Sequence, residues 1–98
     1  MNAPTTTPPV SSVFIAMQDN EESRPVIEAI LADNAHAVAV HSPGLVKIDA
    51  PGRLVIRRAT IEELVGRPYD LQQVQVNLVT LSGHVDEDDD ELSLSWPD

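Results

Sequence analysis

The densest concentration of reactive side chains in this sequence is an unbroken run of six carboxylates at residues 86–91, set within NLVTLSGHVDEDDDELSLSW. Carboxylates at alternate positions are how a calcium loop presents oxygen ligands, and Asp86, Asp88 and Asp90 fall at positions 1, 3 and 5 of such a loop. The sixth position requires glycine and holds Glu91; the twelfth requires a bidentate glutamate and holds Pro97. The run therefore reads as a hydrated loop whose like charges stay in water. Leu92, Leu94 and Trp96 alternate with Glu91, Ser93 and Ser95, the period of a half-buried strand, so this loop joins ordered strands.

Other candidate chemistry is equally thin. His36, His41 and His84 share no i, i+3 or i, i+4 spacing and form no metal-binding pair. Ser82-Gly83-His84 places a hydroxyl near an imidazole, but a glycine between two polar residues is the composition of a bend. Nucleophile elbows, phosphate loops and dinucleotide fingerprints are missing. The sequence contains no cysteine, which removes disulfides, thiolate metal sites and cysteine nucleophiles. These residues predict no catalytic group, no metal and no cofactor.

Charge narrows the partners. A net charge of -10 with only six basic residues opposes the counterion release that drives nucleic-acid binding, and opposes anionic membranes. Without the six-carboxylate run the remainder is still acidic, so a partner with a basic face fits. Lys47, Arg53, Arg57 and Arg58 concentrate four of the six bases in the middle of the chain. They suit a solvated face paired with carboxylates, or a positive spot that orients an acidic partner. No run of about 18 apolar residues occurs, and the first residues, MNAPTTTPPVSS, have neither the basic nor the apolar part of a signal peptide. The cytoplasm is the expected location.

The elements that must position any contact surface follow from periodicity. Ninety-eight residues suffice for one domain, with a core of Val, Leu, Ile and Ala because only Phe14, Tyr69 and Trp96 are aromatic. Residues 1–12, with Pro4, Pro8 and Pro9 among threonines and serines, predict a flexible arm ahead of a body at 13–98. Residues 13–17 form a buried strand, and a helix capped by Ser23 or Arg24 starts with Pro25 in its first turn, its apolar stripe being Val26, Ile27, Ile30 and Leu31. Val38 and Val40, Val46 and Ile48, Leu54 and Ile56 then mark three strands of a meander, separated by Pro-Gly pairs suited to type II turns. Thr60 to Glu63 reads as a capping box for a second helix with Ile61, Leu64 and Val65 inward, stopped by Gly66 and Pro68. The longest strand is expected at 74–81, with Val74, Val76 and Leu78 facing the core and Gln75, Asn77, Val79 and Leu81 opposite. The order is β-α-βββ-α-ββ: a single small α+β domain of mostly antiparallel strands backed by two helices.

Taken together, VFIAMQ, RPVIEAILADN and the long stretch from PGLVKIDAPGRLVIRR to DELSLSW resemble the small regulatory (effector, or coupling) component of bacterial multicomponent phenol hydroxylases, and more distantly those of toluene and soluble methane monooxygenases. The resemblance spans residues 13–96 and is most specific at 47–52 (KIDAPG) and 77–96. It implies an α+β fold and a cofactor-free, non-enzymatic protein that binds a diiron hydroxylase, altering access and geometry at the metal centre so that reductase electrons are spent on aromatic hydroxylation. The docking residues expected from it are Asn77, Val79, Thr80, Leu81, Ser82 and Gly83, with Arg57 and Arg58 at the periphery. Two other readings stand beside it: a regulatory domain that senses a phenol or amino acid directly, and a stand-alone enzyme such as an isomerase using Asp and His.

Overall fold

Alternation in the first strand, β1 (Ser12–Gln18), buries Val13, Ile15 and Met17 and turns Phe14 and Gln18 the other way. The computed structural model describes residues 11–96, so residues 1–10 of the expected arm lie outside it. Ser11 and Ser12 belong to the body. The Ser11 carbonyl accepts the Gly52 amide at 3.0 Å, and the Ser12 carbonyl accepts the Trp96 indole N–H at 2.8 Å.

After β1 come α1 (Arg24–Asp33), β2 (Val38–Ser42), β3 (Leu45–Pro51), β4 (Arg53–Arg57), α2 (Arg58–Val65), a 3-10 turn (Leu71–Gln73), α3 (Val74–Asn77), β5 (Leu78–Ser82), β6 (His84–Glu87) and β7 (Glu91–Ser95). The strands form two antiparallel sheets, one ordered β2-β3-β1-β5 and the other β4-β7-β6. This is the α+β domain expected, in the expected order, with a short third helix and a seventh strand added.

The Pro-Gly pairs act differently from one another. Pro43-Gly44 closes the β2–β3 hairpin, whereas Pro51-Gly52 is a corner: β4 leaves the first sheet and pairs with β7 in the second. The expected three-strand meander therefore stops at two strands. A second corner lies at Gly83, between β5 and β6. Its φ of 108° suits glycine, and an added Cβ would come within 3.0 Å of Val13 Cγ1 and 3.4 Å of the Ser95 backbone.

Both sheets and α1 share one core, centred on Ile15, Met17, Ile30, Ile48, Leu54, Ile56, Ile61 and Leu94, all fully buried. On α1 the apolar stripe closes with Ala29, and Leu31 is exposed. Ser23 occupies the cap position, but its hydroxyl donates to the Gln18 carbonyl at 2.5 Å and caps no helical amide. Asn34, past the helix end, donates to the carbonyls of Ile30 and Val55 at 2.7 Å and accepts the Val55 amide at 2.9 Å. One side chain thus ends the helix and fastens it to β4.

The capping box at Thr60 does not form, because α2 begins two residues earlier. The Arg58 amide is satisfied by the Asp90 carbonyl at 2.9 Å, a tertiary partner that replaces a local cap. Glu62 instead accepts the Tyr69 amide at 2.9 Å and holds the segment that follows the helix.

Candidate docking surface

The strand expected over 74–81 is half helix. Asp70 accepts the Gln72 amide at 2.9 Å and starts a 3-10 turn that runs into α3, so extended backbone begins only at Leu78. Leu71 and Val74 are buried together, while Val76, expected in the core, is 68% exposed. The sequence held both periods: Val74, Val76 and Leu78 recur at two, whereas Leu71, Val74 and Leu78 recur at three and four. Asp70 two residues before Gln72 was the local signal for the second.

The expected contact residues consequently separate. Asn77 is only 7% exposed, and its Oδ1 accepts from Asn20 Nδ2 at 2.7 Å, tying the start of β5 to the turn after β1. Leu81 packs against the core, Ser82 Oγ accepts the Phe14 amide at 3.1 Å, and Gly83 is the corner between sheets. Val79 and Thr80 remain at the surface. Thr80 pairs with Ala16 and Leu78 with Met17, so Val79 is the extra residue of a β-bulge, and it is 52% exposed.

The bulge continues an uncovered sheet face. Paired residues of antiparallel strands share a face, so register defines two rows across the first sheet: Val38, Asp49, Phe14 and Ser82, then Val40, Lys47, Ala16 and Thr80. Lys47 Nζ lies 4.5 Å above the Phe14 ring and 3.6 Å from Asp49 Oδ1. Val38 and Val40, whose alternation marked this strand, are 61% and 53% exposed because the residue between them, Ala39, faces the core.

Arg57 and Arg58 are on the other sheet, where the structure joins two clusters that looked separate in the sequence. Strand register sets Arg57 opposite Glu91 and Arg53 four residues away on the same face. Arg53 and Arg57 approach the two Glu91 oxygens at 3.5 and 3.6 Å, and Arg58 pairs with Asp90 at 2.6 Å. The acidic run is thus a tight β6–β7 connection: Asp86 and Glu87 are in strand, and the Asp88 carboxylate accepts the amides of Asp90 and Glu91 at 2.8 Å.

Two open hollows bear on ligand sensing. One of about 700 Å³ has Glu62, Asp70, Glu87, Asp88 and Asp89 on its rim beside Arg58; the other, about 390 Å³, lies between Glu22, Pro25, Val65, Arg67 and Tyr69. Burial, with the Glu22 carboxylate second, holds the Tyr69 phenol above its ordinary pKa. A rim of carboxylates is poorly matched to a phenol, whose sites are mainly apolar and aromatic. Among the described residues no group of three or more His, Asp or Glu could hold a metal ion, and no helix is long and apolar enough to cross a membrane.

Residues 11–95, nearly all of the described body, match the MmoB/DmpM family. The chain belongs to that family. It is 51% identical over 86 residues, 88% of this chain and 96% of the relative, to the stimulatory component DmpM of phenol 2-monooxygenase from Pseudomonas sp. (strain CF600). A chain in a solved phenol hydroxylase–regulatory protein complex is 45% identical and superimposes with a TM-score of 0.86, over 89% of this chain and 100% of that one. Soluble methane monooxygenase regulatory protein B shares the fold at a TM-score of 0.70, with 17% identity over 96% of this chain and 71% of its own. Within this MmoB/DmpM domain, the first sheet exposes Val38, Val40 and Val79 where the second exposes Val85, and Arg53 and Arg57 of the second sheet pair with Glu91.

Proposed function

We propose that this protein is the stimulatory component of a phenol hydroxylase, a cytoplasmic regulator that acts on a diiron hydroxylase by contact and carries out no chemistry itself. The observation that supports this most strongly is the close match, in sequence and in shape, to a chain from a phenol hydroxylase–regulatory protein complex, made by a protein whose own surface offers contact residues in place of a reactive site. The docking patch is assigned to Val79 and Thr80 at the β5 bulge, with Leu81, Ser82 and Gly83 supporting it and Asn77 fixing its start. Arg57 and Arg58, already engaged by Glu91 and Asp90, orient the acidic connection at the periphery.

An exposed valine on a bulged edge strand favours contact because burying it against a partner removes apolar surface from water and no ladder hydrogen bonds are lost. Reconstitution tests the reading. Adding the purified chain to hydroxylase and reductase should raise phenol hydroxylated per NADH consumed and saturate near one chain per hydroxylase active site. Unchanged coupling, together with no detectable complex, would refute it.

A further inference from the structure

Five of the six basic residues are held in ion pairs: Arg24, Lys47, Arg53, Arg57 and Arg58. Among the described residues Arg67 alone has no carboxylate partner, although the chain carries a net charge of -10. It lines the smaller of the two hollows, about 390 Å³, and Glu22 lines the same hollow without pairing to it. Opposite charges thus border one open space and form no ion pair. In the larger hollow, by contrast, Arg58 is already taken by Asp90.

Three element ends converge on the smaller hollow. Glu22 stands in the turn ahead of α1, Gly66 ends α2 with a φ of 73° and delivers Arg67, and Asn77 closes α3. Two polar side chains at this junction are more than nine-tenths buried, Tyr69 being 9% exposed and Asn77 7%. Asn77 Oδ1 is bonded to Asn20, but among the described residues neither Asn77 Nδ2 nor the Tyr69 hydroxyl has a hydrogen-bond partner. Both atoms remain accessible. Buried amides and hydroxyls ordinarily find partners, so two open donors beside an unpaired guanidinium describe a place for an acceptor. The phenol shares that space: after burial, the charges acting on it most are Glu22, which raises its pKa, and Arg67, which lowers it.

We propose that this hollow binds the zwitterion of an apolar α-amino acid. Its carboxylate sits on Arg67 and accepts from Asn77 Nδ2 and the Tyr69 hydroxyl, its ammonium faces Glu22, and its side chain lies against Val65 and Val76, the latter 68% exposed in the free chain. A simple anion would meet Glu22 and a simple cation would meet Arg67, whereas a molecule carrying both charges on one carbon satisfies both. Because the two charged side chains stay in contact with water, affinity is weak, roughly millimolar.

The test uses the full chain without hydroxylase, so its outcome is independent of the docking reading. L-Leucine added up to about 20 mM should shift the amide resonances of Arg67, Gln73, Val76 and Asn77 and saturate. Leucinamide, which lacks the carboxylate, and 4-methylpentanoate, which lacks the ammonium, should each bind at least about tenfold more weakly. Arg67→Gln should weaken leucine binding by a similar factor, whereas Arg53→Gln, an equal loss of charge on the second sheet, should leave it unchanged. No saturable shift with leucine, equal binding of either analogue, or an Arg67→Gln protein that binds leucine like the parent overturns the proposal. Circular dichroism establishes that the variants fold. Should Arg67→Gln not fold, the two analogues on the parent chain decide: weaker binding of both supports the zwitterion site, and equal binding of either overturns it.

Discussion

The two sheets rest on one core yet present opposite surfaces. The first turns Val38, Val40, Phe14 and Val79 outward around a single Lys47–Asp49 pair; the second is edged by Arg53 and Arg57 against Glu91 and ends in an acidic connection. Apolar contact is short-ranged and governs how long a complex lasts, whereas exposed charge acts over about a Debye length and governs how fast partners meet. A protein that works by touching a larger one gains from keeping these roles on separate surfaces, because each can then change without disturbing the other.

The shared core is the first thing to challenge. Ile15 of the first sheet and Leu94 of the second are both fully buried, so Ile15→Ala and Leu94→Ala should each lower stability by about 2–5 kcal/mol. Thermal unfolding should remain one transition in both variants. Separate melting of the two sheets would show that the contrast reaches the interior.

Next in size is the contact itself. Val79→Asp places a charge where the bulge would be buried against the hydroxylase, and should weaken binding by about 2 kcal/mol, roughly thirtyfold, with the circular dichroism unchanged. A Val79→Asp protein that unfolds would make that side chain part of the core. One that binds and stimulates normally would move the docking surface away from β5.

Much of this architecture was legible beforehand, and the exceptions share a cause. β1, α1 and the β2–β3 hairpin follow from alternation, a helical stripe and a Pro-Gly turn, all local signals. Pro51-Gly52 also announces a turn, but nothing local says which sheet the next strand joins. β6 was hidden because Val85 is its one apolar residue among His84, Asp86 and Glu87. Burial of Asn77 depends on Asn20, 57 residues away, and the Arg53–Arg57–Glu91 cluster depends on β4–β7 register. The proposed docking residues were the least legible, since Val79 differs from a core valine only through a bulge that its partner strand creates.

The acidic connection should produce a smaller, purely kinetic effect. Asp86→Asn, Glu87→Gln and Asp89→Asn together remove three charges without touching the Asp88 turn bonds or the Arg58–Asp90 pair. Association with the hydroxylase should slow several-fold at low salt and match the parent at high salt, with turnover at saturation unchanged. Lost turnover at saturation would place these carboxylates inside the functional contact and erase the division between the sheets.

The smallest effect expected concerns the joint between them. Tyr69 lies on the segment leading from α2, beside the second sheet, to β5 of the first; its amide is held by Glu62, and Glu22, which raises its pKa after burial does, follows β1. Because the folded phenol ionises at higher pH than the unfolded one, the two states bind protons alike below the ordinary phenol range. Above that range the unfolded chain releases its proton first, so stability falls as pH rises until the folded phenol also ionises. Tyr69→Phe should remove that alkaline loss while leaving stability near neutrality little changed, as measured by urea unfolding at a series of alkaline pH values. With a single tyrosine in the sequence, phenolate absorbance reports this group alone. If both sheets depend on the joint, the absorbance change at high pH coincides with loss of structure in each; ionisation with either sheet still intact would show that Tyr69 fills the hollow without coupling them.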